Sequence, residues 1–178
     1  MIFSHSHPAF ARIYAKNSKL SFSRMGSIIT MTANRSTAKK KARGGSAELP
    51  DLRKWPRIPV SDITQVSREM VRRSSEDDVD GAFATPVVEA HPAIADEYLS
   101  VIDAPMDLRT IEEERLNTYT SIQMLQDDLV LIFRNCCTFN GPESSLGEIA
   151  ITQWEGINHN FMDVCQDLGI LLPRHWKP

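Results

Sequence analysis

The run Ile122-Gln-Met-Leu125-Gln-Asp-Asp-Leu129-Val-Leu-Ile132-Phe133-Arg-Asn135-Cys136-Cys137-Thr-Phe139-Asn140-Gly141-Pro142 decides the fold. Its apolar residues Ile122, Leu125, Leu129, Ile132, Phe133 and Cys136 recur by threes and fours, which places them on one stripe of a helix. Asn140-Gly141-Pro142 closes that helix, because Gly accepts the left-handed conformation of a helix end and Pro cannot continue the ladder. Thr120 with Gln123 reads as a capping box at its start.

The same period extends to both sides. Downstream, Ser145 with Glu148 reads as a second capping box, opening a helix whose stripe is Leu146, Ile149, Ala150, Ile157, Phe161, Val164, Cys165 and Leu168. Upstream, Asp107 is placed to cap a shorter segment that turns Leu108, Ile111 and Leu116 inward. Residues 81–104 show no period and carry Pro86 and Pro92, with Pro105 just beyond, so they read as a long loop, of the kind that carries function inside compact domains. Before it, Ser61 or Asp62 is positioned to cap a helix with Ile63, Val66 and Met70 on one face, ending at Glu76-Asp77-Asp78. No strand pattern occurs, so the fold class is all-α, a four-helix bundle with a long loop between its first two helices.

Composition divides the chain. Its 178 residues are 42% hydrophobic and 24% charged with a net charge of −3, but all 23 acids lie from Glu48 onward while residues 1–47 hold nine Lys or Arg. Residues 1–55 therefore read as a disordered basic tail that cannot bury enough surface to offset its ordering entropy, residues 60–172 as the domain, and residues 173–178 as a C-terminal tail. Three readings stand for the run Lys39, Lys40, Lys41 and Arg43: a nuclear-localisation or nucleic-acid patch, part of an organelle presequence within residues 1–47, or a solvated linker. The longest apolar run, Leu129 to Phe133, falls far short of the roughly 20 residues of a membrane span, so a soluble protein without a membrane partner is expected. Cys136, Cys137 and Cys165 form no CxxC pair, which argues for a reducing compartment and against a zinc site. The pair His5 and His7 has no further ligands nearby and reads as incidental.

Three separated stretches, Phe83-Ala-Thr-Pro86-Val87, Tyr98 through Pro105-Met106-Asp107 to Ile111, and Leu131-Ile-Phe-Arg-Asn135-Cys136-Cys-Thr-Phe139-Asn140, resemble the bromodomain, a left-handed four-helix bundle that reads acetyl-lysine. The resemblance covers roughly residues 60–170, and its order of helix, long loop, short helix and two long helices agrees with the periodicity. It implies a site in which Asn140 donates its carboxamide N–H to the acetyl oxygen and Tyr98 reaches that oxygen through a water. The walls implied are Phe83, Val87, Ile94, Phe139 and, at the gatekeeper position, Leu146. No cofactor is implied. An ammonium entering such an apolar site without a carboxylate partner costs several kcal/mol, which is the basis of discrimination against unmodified lysine. The expected partners are acetylated histone tails of H3 or H4, or other acetylated proteins, bound by a nuclear monomer, with DNA contact through Lys39, Lys40, Lys41 and Arg43.

The chain departs from the family pattern in three places. Gly81-Ala82-Phe83 stands where many members have Trp-Pro-Phe, which removes an aromatic shelf; the segment between Val87 and Tyr98 is one residue longer; and Glu112-Glu113-Glu114-Arg115 also carries one extra residue, away from the pocket. Each named residue also has a structural reading: Asn140 as a helix C-cap, Tyr98 as a core aromatic, Phe83 and Phe139 as partly structural, Cys136 as a small buried hydrophobe and Cys137 as a partly exposed thiol. Catalysis is not expected: no signature pairs the cysteines with a histidine, and Glu112 to Glu114 fan around a helix instead of converging. Two functions remain, an acetyl-lysine reader and a helical adaptor whose pocket has degenerated.

Overall fold

Helix α1, Val60–Asp77, forms because Ile63, Val66, Met70 and Val71 share one face, and all four are buried. These positions belong to a computed structural model that describes residues 53–78 and 80–178. The basic run at residues 39–43, the His5 and His7 pair, and the expected tail up to residue 52 lie outside the described residues. Neither Ser61 nor Asp62 caps α1. Pro59 precedes the helix in an extended conformation and its carbonyl takes the Asp62 N–H at 3.0 Å, so both polar residues already sit in the first turn.

The expected long loop is wound into short turns: α2, Val87–Ala90, a 3₁₀ turn at Pro92–Ile94, and α3, Ala95–Val101. Pro86 and Pro92 open those turns, since a fixed φ and a missing N–H are harmless at the start of a helix. Helix α4, Leu108–Thr110, is capped as expected by Asp107, whose carboxylate accepts the Thr110 N–H at 2.9 Å and its hydroxyl at 2.7 Å. It continues as a π-turn, Ile111–Arg115, in which the Leu116 N–H reaches the Ile111 carbonyl at 3.0 Å. The Glu112–Arg115 stretch lies in that turn, where Ile111 and Leu116 are both buried and all three glutamates face solvent.

Helices α5, Ile122–Asn140, and α6, Ser145–Asp167, complete a left-handed four-helix bundle with α1 and α4; no strand occurs among the described residues. The α5 stripe is buried from Ile122 to Cys136 as its period requires. Two caps differ from expectation. Thr120 faces the Met124 sulfur, and Gln123 reaches forward to Gln126 and Asp127, so no box forms; Gln126 is itself drawn into a buried network described below. At α6 the cap is Ser144, whose hydroxyl accepts the Gly147 N–H at 2.9 Å, and Ser145 is the first helical residue. With that register Ile149 is left exposed and Trp154 takes the buried face. Cys137, expected to be partly exposed, is buried, and burial raises its thiol pKa.

At the pole where α5 begins, the two chain segments outside the helices close on each other. Trp55 lies within the expected tail, yet it is 5% exposed and stacks on Phe161 with ring centroids 4.2 Å apart. Its backbone N–H donates to Gln126 and its indole N–H to Asn158, at 3.1 and 2.8 Å. The other edge of Phe161 meets Trp176, whose indole N–H donates to the Lys54 carbonyl at 3.1 Å. Packing among the described residues thus reaches Trp55 and Trp176, on either side of residues 60–172. No helix among the described residues is long and apolar enough to cross a membrane.

Candidate functional site

The opposite pole is where α5 ends. Eighteen residues at 1.5 Å per residue carry Asn140 roughly 27 Å from Ile122. The helix stops because Gly141 takes φ +85°, a left-handed conformation open to glycine, and Pro142 follows. Asn140 is exposed at this edge. Its amide nitrogen donates to the Cys136 carbonyl at 3.1 Å and to the Cys136 sulfur at 3.7 Å, and its Oδ1 takes no partner among the described residues. The acceptor is free at the helix end, and one donor is held only by a long contact to a sulfur, a weak acceptor that a carbonyl oxygen can displace.

Cys136 links that amide to Leu146, and the neighbouring Phe139 meets Tyr98. The Cys136 sulfur is 3.7 Å from the Asn140 nitrogen and 3.5 Å from the Leu146 carbonyl oxygen. Tyr98, on α3, is 3% exposed and meets Phe139 edge to face with centroids 5.2 Å apart. Burial holds the Tyr98 phenol above its ordinary value, with Cys136 and Asp107 adding to the effect. Burial likewise pushes the Cys136 thiol up to about 12. Tyr98 and Cys136 are thus both neutral near pH 7, a setting for a neutral amide.

The other expected wall residues are placed differently. Phe83 is a core residue, 5% exposed and edge to face with Phe133 at 5.5 Å. Val87 at the start of α2 and Ile94 at the end of the 3₁₀ turn are half-buried, on the same loop as Tyr98 but without a recorded contact to Asn140. Gly81, standing where an aromatic residue is common, takes φ +66° in a turn closed by its N–H to the Asp78 carbonyl at 3.1 Å.

Sequence reasoning missed the side chains that hold this loop. The Asp78 carboxylate accepts the backbone N–H groups of Ala82 and Phe83 at 2.9 and 2.8 Å; burial raises its pKa, and those two bonds oppose the rise. The Phe83 and Ala84 carbonyls accept the Leu108 and Arg109 N–H groups. Asn135, one and a half turns before Asn140, donates its amide to the Ala104 carbonyl at 2.8 Å and ties the end of the loop to α5. The signals were present: an acid at the C-terminal end of a helix before a glycine turn, and a polar side chain on an otherwise apolar stripe.

Asn135 permits a pH test. An Asn135→Asp variant is expected to lose about 1–3 kcal/mol at neutral pH, since an ionised carboxylate cannot donate to the Ala104 carbonyl. The protonated acid can donate, so the folded state raises this carboxyl's pKa above its unfolded value. Stability is then regained as the pH falls through that raised value, and lost again as the pH rises. Urea denaturation of the variant at about pH 5 and about pH 8 checks this, with Asn135→Ala as the variant that lacks the recovery.

Comparison with known proteins now adds a family. Residues 67–152 match the profile described as Bromodomain. The SWR1 complex bromodomain subunit bdf1 of Schizosaccharomyces pombe is 35% identical over 81 residues, covering 43% of this chain and 13% of that protein. The bromodomain adjacent to zinc finger domain protein 2A of Mus musculus is 35% identical over 90 residues, covering 49% of this chain and 4% of that protein. Such matches span 14% or less of the curated relatives' own lengths. Among solved structures, the Trypanosoma cruzi bromodomain BDF2 superposes with a TM-score of 0.50 at 20% identity, over 62% of this chain and 93% of that one. Trypanosoma brucei BDF5 gives 0.50 at 21% identity, over 64% and 98%. At these identities the likeness establishes the shared fold.

Proposed function

The chain belongs to the bromodomain family through residues 67–152, and from that premise we propose that it reads acetyl-lysine at the pole where α5 ends. The observation that supports the reading is the exposed Asn140 amide, one donor of which meets only the Cys136 sulfur at 3.7 Å, on a helix end where Phe139 meets Tyr98 and Cys136 meets Leu146. Acetylation turns a lysine ammonium into a neutral secondary amide on an apolar stem. Asn140 donates to its oxygen, Tyr98 approaches the same oxygen through a water, and Phe139 and Leu146 flank the stem, with Val87 and Ile94 as the outer wall. The partners are acetylated H3 or H4 tails or other acetylated proteins, and the place of work is the nucleus. Acids exposed on the same loop and helix ends, Glu89, Asp96, Glu97, Glu143 and Glu148, favour the approach of a basic peptide at low salt.

One mark supplies few atoms and one or two hydrogen bonds, so its Kd is expected at roughly 10 μM to 1 mM. Calorimetric titration of the full chain with acetylated and unacetylated H3 and H4 tail peptides tests this. Binding is expected for the acetylated peptides alone, with Asn140→Ala at least about tenfold weaker while circular dichroism stays unchanged. Absence of binding at millimolar peptide would reject the reader. The adaptor with a degenerate pocket would then be favoured, in keeping with Phe83 lying in the core and Gly81 in place of an aromatic residue.

A further inference from the structure

Among the described residues, unpaired cations cluster at the pole opposite Asn140. Residues 53–178 contain 21 Asp or Glu against eleven Lys or Arg, yet five of those eleven, Arg53, Lys54, Arg57, Arg174 and Lys177, lie in residues 53–59 and 170–178, where there is no acid. The two segments are far apart in sequence. The Trp176 indole bond to the Lys54 carbonyl, and the packing of Trp55 and Trp176 on two sides of Phe161, bring them together. All five cations are exposed, and none forms an ion pair among the described residues. Among the acids on neighbouring helix ends, Asp62 in the first turn of α1 and Asp163 are half-buried, Asp127 is engaged by Gln123, and Asp167 pairs with Arg73.

We propose that this composite basic surface binds the phosphate backbone of duplex DNA, assembled by the tryptophan clasp and distinct from the acetyl-lysine site. Five cations carried on two chain segments and spread over one pole match a row of phosphates better than a single small anion, which one or two side chains suffice to hold. A bundle acidic at one pole and basic at the other orients itself on a partner that offers a basic acetylated peptide and a polyanion together.

The test is fluorescence anisotropy of the full chain with a labelled duplex of about 20 base pairs, between about 50 and about 200 mM salt and without any peptide. The double variant Arg174→Gln with Lys177→Gln changes two exposed side chains more than a hundred residues along the sequence from the Lys39–Arg43 run. It is expected to lower the salt slope by about 1.8 and to weaken binding at least about tenfold at the lowest salt. Trp176→Ala keeps every cation but releases the clasp, and is expected to weaken binding as well. Asn140→Ala is expected to bind DNA like the unaltered protein, so a failure of the acetyl-lysine reading leaves this result untouched. Unchanged affinity and slope in the double variant, with binding lost when Lys39 to Lys41 and Arg43 are neutralised, would overturn the proposal in favour of the tail alone. It is equally overturned if the unaltered protein fails to bind duplex at the lowest salt, or if only anionic lipid vesicles respond to the two substitutions.

Discussion

Gly147→Ala is expected to cost more than about 3 kcal/mol of stability and to abolish acetyl-peptide binding, although the change adds one methyl group. A Cβ at Gly147 would stand 2.1 Å from the Gly141 carbonyl oxygen, 2.9 Å from the Pro142 Cα and 3.0 Å from the Gly141 carbonyl carbon. Those are backbone atoms, so no side-chain rotation relieves the overlap. The turn is also tied at both ends by one hydroxyl: Ser144 donates to the Gly141 carbonyl at 2.7 Å and accepts the Gly147 N–H at 2.9 Å. What must move is Gly141, the residue bonded to Asn140. Gly156→Ala in the same helix is the matched control. Its Cβ meets nothing within 4 Å, and replacing a mid-helix glycine there is expected to add about 0.5–1 kcal/mol. Thermal unfolding followed by circular dichroism should move the two variants in opposite directions; a melting temperature for Gly147→Ala close to that of the unaltered protein would refute the steric argument.

Trp55→Ala is expected to destabilise the domain by about 3–5 kcal/mol, a large share of the total stability of a domain this size. The indole contributes the stack on Phe161 and a bond to Asn158, and its removal leaves the buried Asn158 carboxamide oxygen with one donor fewer. Trp55→Phe keeps an aromatic ring over Phe161 but loses the indole donor, and is expected to cost about 1–3 kcal/mol. Urea denaturation of the full chain orders the three proteins; equal midpoints for Trp55→Ala and the unaltered chain would show that the clasp adds nothing. The residues that match the family, 67–152, exclude Trp55, Asn158, Phe161 and Trp176. A fragment cut to those limits is expected to lack the stability of the full unit.

The helices were legible wherever a stripe of apolar residues was long enough to fix its own phase. Ile63, Val66 and Met70, and the series from Ile122 to Cys136, are buried as their spacing requires. Local polar chemistry was less legible, because several residues compete for one cap. Ser144 and Ser145 differ by one position, and the close approach at Gly147 selects the first. Gln123 could have closed a box with Thr120, but Gln126, drawn toward Trp55 and Asn158, pulls it forward. Trp55 was assigned to the tail because its neighbours are polar and basic; its partner Phe161 is more than a hundred residues away, and no local pattern reports such a contact. The same holds for the site. Asn140 and Phe139 are visible at a helix end, and Tyr98 through the family pattern, but the bonds from Asp78 and Asn135 that fix the loop connect positions no period relates.

Length changes are usually thought to be safe in turns and harmful in helices. Here the order is reversed. The π-turn at Ile111–Arg115 holds its additional residue as a local swelling of the coil, with the inward positions on either side undisturbed, so a helix has served as the elastic part of the chain. The four residues between α5 and α6 are the inelastic part: with Gly141 and Gly147 pressed together, the turn has no slack for even one methyl group. An inserted or deleted residue is therefore expected to be accepted within the glutamate-rich coil of α4 and refused in the turn beside Asn140.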